Sequence, residues 1–299
     1  MKIRLSAASQ AQASAAFDAL AARFVELNRD WYAWGDGELG AVNRTLASAS
    51  SAPVSPSLAL LLRKARDYTT RTGGLFNVCT GRLTQTWGLH ELPRSGIPRI
   101  PDAEDIAAAR LAARCDLTID PAGLRVSVAH AGVIIDLGGI AKGAILGIAV
   151  AILKQSGIDR ALIDVGGDLA AIADAPATPF RIGLRDARSS TPLGAIELGS
   201  GEAVMSSGDY ARYFEVDGKR YQHILDPRSG YPVATRAATV IHRDPVLADV
   251  AATALVVGGA TQFSSVCDAL GVSTALLIDK LGNMVNTDAM RQRLEVLPA

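Results

Sequence analysis

Residues 133–167 read VIIDLGGIAKGAILGIAVAILKQSGIDRALIDVGG, and the fold turns on how they are parsed. A β-branched run ends in Asp136 and the pair Gly138–Gly139. An apolar stretch of helical length follows over 140–156, and a second short apolar run ends in Asp164 and Gly166–Gly167. The spacing predicts strand, helix, strand. Both strands then close on Asp-x-Gly-Gly. Either Asp136 and Asp164 face one edge of a crevice, or they are turn aspartates that bond only local backbone.

The first of these turns has the look of a phosphate loop, but its spacing fails both familiar patterns. Lys142 is followed by Gly143 and Ala144 rather than by the Ser or Thr of a Gly-Lys-[Ser/Thr] loop. Gly138, Gly139 and Gly143 do not fit G-x-G-x-x-G. The physics of an anion site is still present. Glycines admit close backbone approach, a helix begins just beyond them, and Lys142 sits about one turn in.

Outward from this stretch, residues 2–7 alternate like a short strand. The next run has helical spacing, with Phe17, Leu20, Phe24 and Leu27 on one face. A Gly-rich passage with Trp31 and Trp34 and a Ser-rich loop over 47–57 precede a helix opened by Pro56 and stopped by Gly73–Gly74. Residues 88–101, with three prolines, read as a loop or flap. DAEDIAAARLAA reads as a helix with an acidic first turn, and LTIDPAGLRVSVA as a hairpin. Beyond residue 180 an antiparallel meander is expected, with Asp217-Gly218 as a hairpin turn, then two helices and a final strand VSTALLID. Strands and helices alternating unevenly indicate an α+β fold.

Thirty basic residues balance thirty acidic ones, which leaves no cationic footprint for nucleic acid. No run is long and apolar enough for a membrane span, and MKIRLSAASQ lacks the apolar core of a leader, so a cytoplasmic location is expected. Cys79, Cys115 and Cys267 lie far apart with no C-x-x-C, and are expected to be buried thiols rather than a disulfide or a zinc site.

Three further clusters carry chemistry. YQHILDPRSGYP (Tyr221–Pro232) sets His223 three residues before Asp226, and an imidazole suits general-base work near neutral pH. Asp226 and Ser229 also serve a plain turn. In ADVAAT, Asp249 and Thr253 are four apart on one face of an alanine-lined helix. A carboxylate plus a hydroxyl is hard-oxygen ligation, suited to Mg²⁺; the alternative is a solvated Asp249 and a Thr253 bonded to its own helix. AVMSSGDYARYF places Ser206 and Ser207 in a ligand-shaping loop or an ordinary hairpin turn, without a nucleophile elbow around them.

Taken in order, GGLFNVCTGRLTQTWG, IIDLGGIAKGAI, ALIDVGGDL, SSGDYARYFEVDGKRYQHILDPRSGYPV and ADVAATALVVGG resemble the ApbE-like FAD:protein FMN transferases. The resemblance implies a single two-lobed α+β domain with mixed or antiparallel sheets and flanking helices, an N-terminal lobe to about 125 and a catalytic part over 126–299. It also implies Mg²⁺-dependent cleavage of FAD and attachment of FMN, through a phosphoester, to a Thr or Ser of an acceptor flavoprotein, with release of AMP. Under it Asp249, Thr253 and the Gly139 carbonyl hold Mg²⁺. Asp136, Lys142, His223, Leu75, Phe76 and Asn77 contact FAD, and His223 is the base. Asn77 stands where relatives usually have aspartate. An FAD pyrophosphatase giving FMN and AMP, or a non-catalytic FAD-binding protein, are the alternative readings of the same residues.

Overall fold

A computed structural model describes residues 1–91, 100–173, 178–185, 188, 192–210 and 212–296. Most of the loop expected over 88–101 lies outside the described residues. In chain order the elements begin with β1 (Lys2–Ser6), α1 (Gln10–Trp31), α2 (Glu38–Leu46), β2 (Ser51–Pro53), α3 (Pro56–Arg71), α4 (Gly81–Thr86) and α5 (Ala103–Ala112). Next come β3 (Thr118–Ile119), β4 (Arg125–Ser127), α6 (Ala141–Gln155), β5 (Arg160–Val165), β6 (Asp168–Ala173), β7 (Phe180–Arg185) and β8 (Pro192–Leu198). The rest are β9 (Ala203–Gly208), β10 (Tyr213–Val216), β11 (Lys219–Gln222), β12 (Ala237–His242), α7 (Pro245–Gly258), α8 (Phe263–Leu270), β13 (Ala275–Ile278), β14 (Met284–Asn286), α9 (Asp288–Arg293) and β15 (Glu295–Val296).

These elements form two compact units. One comprises Met1–Glu26, Ile140–Gly208 and Thr235–Ala299, the other Leu27–Gly139 and Asp209–Ala234. The lobe expected to end near 125 therefore has its boundary inside the second unit, whose first segment runs to Gly139.

In the first unit a seven-stranded antiparallel sheet runs β1-β5-β6-β9-β12-β13-β14. Helix α6 packs on β5 and β6, helix α7 on β9 and β12, and the two helices pack on each other. Helix α7 is apolar nearly all round (PVLADVAATALVVG), so it sits in the interior with Val250, Ala251, Ala252, Leu255 and Val256 all buried. Strands β5 and β6 form a hairpin through Gly166–Gly167. Both glycines have positive φ (68° and 97°), the conformation a two-residue turn of this hand requires. A small sheet β15-β8-β7 completes the unit.

The second unit carries the sheet β2-β4-β3 and the hairpin β10-β11. Its core joins Leu83, Trp87, Leu89, Ile106, Phe214, Tyr221 and Leu225. Trp87 buries its ring there and donates its Nε1–H to the Gly230 carbonyl at 2.8 Å.

Three expectations need correction. Residues 133–137 form no strand and 138–140 are a turn, because other groups take the backbone of the run. The Asn43 side chain on α2 accepts from the Ile135 N–H at 2.8 Å and donates to the Ile135 carbonyl at 2.9 Å, as a neighbouring strand would. The Asp136 N–H goes to Val78 O (2.7 Å), and the Ile134 carbonyl accepts from Gly81 N at the start of α4 (3.1 Å). Next, the Gly-rich passage after Trp31 contains helix α2, and β14, α9 and β15 follow the strand taken as final. Last, Cys79 and Cys115 are joined in a disulfide, with Cα atoms 6.2 Å apart. Their separation of 36 residues hid the pairing; Asn77 closes the gap by donating its Nδ2–H to the Ala113 carbonyl at 2.9 Å. Cys267 is a buried free thiol as expected.

Candidate active site

The sequence candidates divide between the units. Lys142, Asp249 and Thr253 belong to the first, and Asp136, Gly139, His223, Leu75, Phe76 and Asn77 to the second.

In the first unit the crossing of α6 and α7 sets the geometry. A Cβ on Gly143 would stand 2.3 Å from the Pro245 carbonyl oxygen, so only glycine lets the two helix starts approach this closely. Asp249, one turn into α7, consequently reaches the N-terminus of α6, where its Oδ2 accepts from the Gly143 N–H at 2.8 Å. Helix α6 has no side-chain cap of its own, so Asp249 serves as that cap from another helix. Burial pushes the Asp249 carboxyl up to about 6. The Lys142 ammonium and the Gly143 and Lys142 N–H groups pull it down, while Asp168 adds to the rise.

Lys142 forms an ion pair with Asp168, the first residue of β6, which is only 1% exposed. The other oxygen of Asp168 accepts from the Ser206 N–H on β9 at 2.7 Å. Burial raises the Asp168 carboxyl, with Lys142 opposing. Next along β9, Ser207 Oγ meets Thr253 Oγ1 at 3.2 Å, and Thr253 lies one turn beyond Asp249. The contacts close on themselves: α7 to α6 through Asp249, α6 to β6 through Lys142, β6 to β9 through Asp168, and β9 back to α7 through Ser207. Asp168 was not singled out from the sequence, since only the fold brings it to a lysine 26 residues away. Ser206 and Ser207 sit on a strand rather than in a turn.

A buried carboxylate that the fold compensates only in part, with a hydroxyl one turn away, fits a hard divalent cation. Among the described residues no group of three or more His, Cys, Asp or Glu side chains could hold a metal, so further ligands would be carbonyl, hydroxyl or substrate oxygens.

In the second unit His223 Nδ1 lies 3.1 Å from the Arg212 carbonyl. A carbonyl can only accept, so Nδ1 carries the proton and Nε2 is the basic nitrogen. The backbone N–H of His223 bonds the same carbonyl (3.1 Å), which fixes the residue beside β10. Asp226 is held by Arg228 through a two-pronged ion pair (2.9 Å at each prong), and Ser229 Oγ accepts from Tyr231 N at 3.2 Å, so both organise the turn.

Asp136 is half-buried and its Oδ1 accepts from Gly138 N at 2.9 Å. Burial raises its carboxyl, while that N–H, Arg212 and His90 lower it. His90 in turn packs on the Trp34 ring, with centroids 4.7 Å apart. Asp164, its counterpart in the sequence, accepts from Gly167 N at 2.8 Å and so acts within its own hairpin turn. Leu75 and Phe76 have buried side chains, leaving their backbone to meet a ligand. Asn77 accepts from the Cys79 N–H at 2.8 Å as well as donating to Ala113. An aspartate could not make that donation. A separate open cleft of about 1020 Å³ in this unit, lined by Trp34, Arg44, Arg82, Arg114 and His130 among others, contains none of the sequence candidates.

Among the described residues no single helix is long and apolar enough to cross a membrane.

A profile of the ApbE family matches residues 1–277. The chain is 37% identical over 294 residues to an FAD:protein FMN transferase of Rhodobacter capsulatus, an alignment covering 96% of this chain and 55% of that protein. Across three such curated relatives the chain spans 55%, 62% and 60% of their length. Among solved structures, the ApbE protein of Thermotoga maritima superposes with a TM-score of 0.85 at 29% identity, covering 97% of this chain and 95% of the other. The apo flavinyl transferase ApbE of Pseudomonas stutzeri gives 0.80 at 28% identity, covering 95% and 90%.

Proposed function

The chain belongs to the ApbE family, and from that premise we propose that it is an FAD:protein FMN transferase. In this reading a threonine or serine hydroxyl of an acceptor flavoprotein attacks the FMN-side phosphorus of FAD. The new P–O bond forms as the bond to the AMP oxygen breaks, AMP leaves, and the hydroxyl proton passes to a base. The relatives' names support the substrate, and the acceptor is left open.

The observation that carries the catalytic part is the tautomer of His223. With Nδ1–H committed to the Arg212 carbonyl, Nε2 carries the lone pair on a ring of fixed orientation, as a general base needs. Such help is worth roughly 10²–10⁴-fold for a hydroxyl of high pKa. A protein that only binds flavin has no use for it. Lys142, at the N-terminus of α6, is assigned to the pyrophosphate, its charge offset by the paired Asp168. Asp249 and Thr253, with the Gly139 carbonyl, are the groups we assign to Mg²⁺. A bound Mg²⁺ would neutralise pyrophosphate charge and stabilise the leaving oxygen. Asp136 and the Leu75–Asn77 backbone are assigned to the nucleotide.

The test is incubation of the chain with FAD, Mg²⁺ and a candidate acceptor flavoprotein. The expected result is an acceptor heavier by FMN, with an equal amount of AMP. AMP without a labelled acceptor would make the chain an FAD pyrophosphatase, and neither product would refute an enzyme of either kind.

A further inference from the structure

The first unit offers its substrate far less positive charge than the lysine suggests. Two carboxylates act on Lys142: Asp168 in direct contact, and Asp249, which is bonded to the neighbouring Gly143 N–H. The Lys142 side chain is 37% exposed and the Asp168 side chain 1%, so the ammonium is the reachable partner and the carboxylate its anchor behind. Asp168 cannot swing aside, because its second oxygen is bonded to the Ser206 N–H on β9. Its position is also set by the hairpin, as the residue following Gly166–Gly167 and paired with Val165.

We propose that Asp168 is a specificity-determining residue: by holding the Lys142 ammonium it cancels the charge presented to an incoming pyrophosphate, so that the site accepts this anion only together with a divalent cation. The proposal rests on the FAD reading for its natural substrate but not for its physics. One ammonium against two carboxylates repels a polyanion, and a divalent cation reverses the sign. Removing the one carboxylate that touches Lys142 takes away that repulsion and leaves the ammonium free of its direct counter-charge, without adding any contact. A plain structural ion pair predicts the opposite, since loosening the lysine would weaken anion binding or leave it unchanged.

The experiment measures equilibrium binding of inorganic pyrophosphate by calorimetry, and of FAD by flavin fluorescence, to the full chain and to Asp168→Asn, each in EDTA and in excess Mg²⁺. Asparagine keeps an oxygen for Ser206 N–H; should that variant fold poorly, Asp168→Ser gives the same comparison. We expect the unaltered chain to bind either ligand much more tightly with Mg²⁺. Asp168→Asn should bind in EDTA about tenfold tighter or more than the unaltered chain, equivalent to one charge removed at close range. Its ratio of Mg²⁺ to EDTA affinity should shrink accordingly. Unchanged or weaker binding of the variant in EDTA would overturn the proposal, as would Mg²⁺-independent pyrophosphate binding by the unaltered chain. If pyrophosphate behaves as expected while FAD does not bind at all, the charge inference stands and the flavin reading falls.

Discussion

Asp249 is a residue on which the fold spends stability. In an unfolded chain its carboxyl titrates near the ordinary 3.8, and burial in α7 pushes it up to about 6. Between those values the folded chain holds the proton more tightly than the unfolded one. The contribution to stability is therefore full below about 3.8, falls as pH rises toward about 6, and stays at its floor above. The loss is on the order of 3 kcal/mol. In metal-free protein we expect Asp249→Asn, which retains an acceptor for Gly143 N–H, to melt several degrees higher than the unaltered chain at pH 7.5 and to show no response to Mg²⁺. A variant that melts lower across pH 4–8 would sink this account. At His223 the outcome is kinetic: His223→Gln should lower the rate of FMN transfer by roughly 10²–10⁴-fold with FAD affinity within a few-fold. Loss of FAD affinity alone would make it a binding residue. Both positions were visible in the sequence as residue types in suggestive company. The direction of the His223 proton was not, because it depends on a backbone carbonyl eleven positions upstream. Nor was Asp168, whose partner sits across a helix and a hairpin turn.

At the scale of elements, the crossing of α6 and α7 depends on a missing side chain. Gly143→Ala would force a methyl to 2.3 Å from the Pro245 carbonyl. It should cost about 1–3 kcal/mol or more and move Asp249 off the α6 N-terminus, so activity falls with stability. Gly147→Ala, one turn along, puts its Cβ at an ordinary 3.5 Å from Pro245 Cγ and should stabilise by about 0.5–1 kcal/mol through helix propensity. Thermal melts of the two variants decide it, and similar shifts in both would refute the close-approach argument. Helices α1, α3, α5, α6 and α7 were legible from the spacing or length of their apolar runs, with Pro56 and Gly73–Gly74 marking the ends of α3 and an acidic first turn the start of α5. The segment 133–139 was misread because a β-branched run predicts extended backbone, not who bonds it, and Asn43 took the place of a strand. Helix α2 was missed because its glycine and short length mask the period.

For the molecule as a whole, the uneven alternation of strands and helices pointed to the α+β fold, and the sequence motifs led to the family that the comparisons show. What composition could not give was the pairing of Cys79 with Cys115. A bridge enclosing 36 residues is worth about 4 kcal/mol by loop entropy, so a phosphine reductant should lower the melting temperature, and Cys79→Ser with Cys115→Ser should reproduce that drop. Two free thiols in the native protein, counted by alkylation and mass spectrometry, would remove the bridge. Bridges of this kind persist in oxidising compartments, which pulls against the cytoplasmic location expected from the N-terminus.

The pairing of β1 with β5 has a consequence in time. Lys2 lies opposite Asp164, so the first strand emerges from the ribosome about 160 residues before its partner. At ordinary rates of synthesis that is a wait of about 10–30 s. The second unit waits as well, since its hairpin β10-β11 is made after β9. Neither unit can finish while the chain is still short, and through that interval an unpaired strand of alternating pattern is open to other nascent chains. For this protein, yield in a cell will be governed by what shelters β1 during translation as much as by the stability of the finished fold.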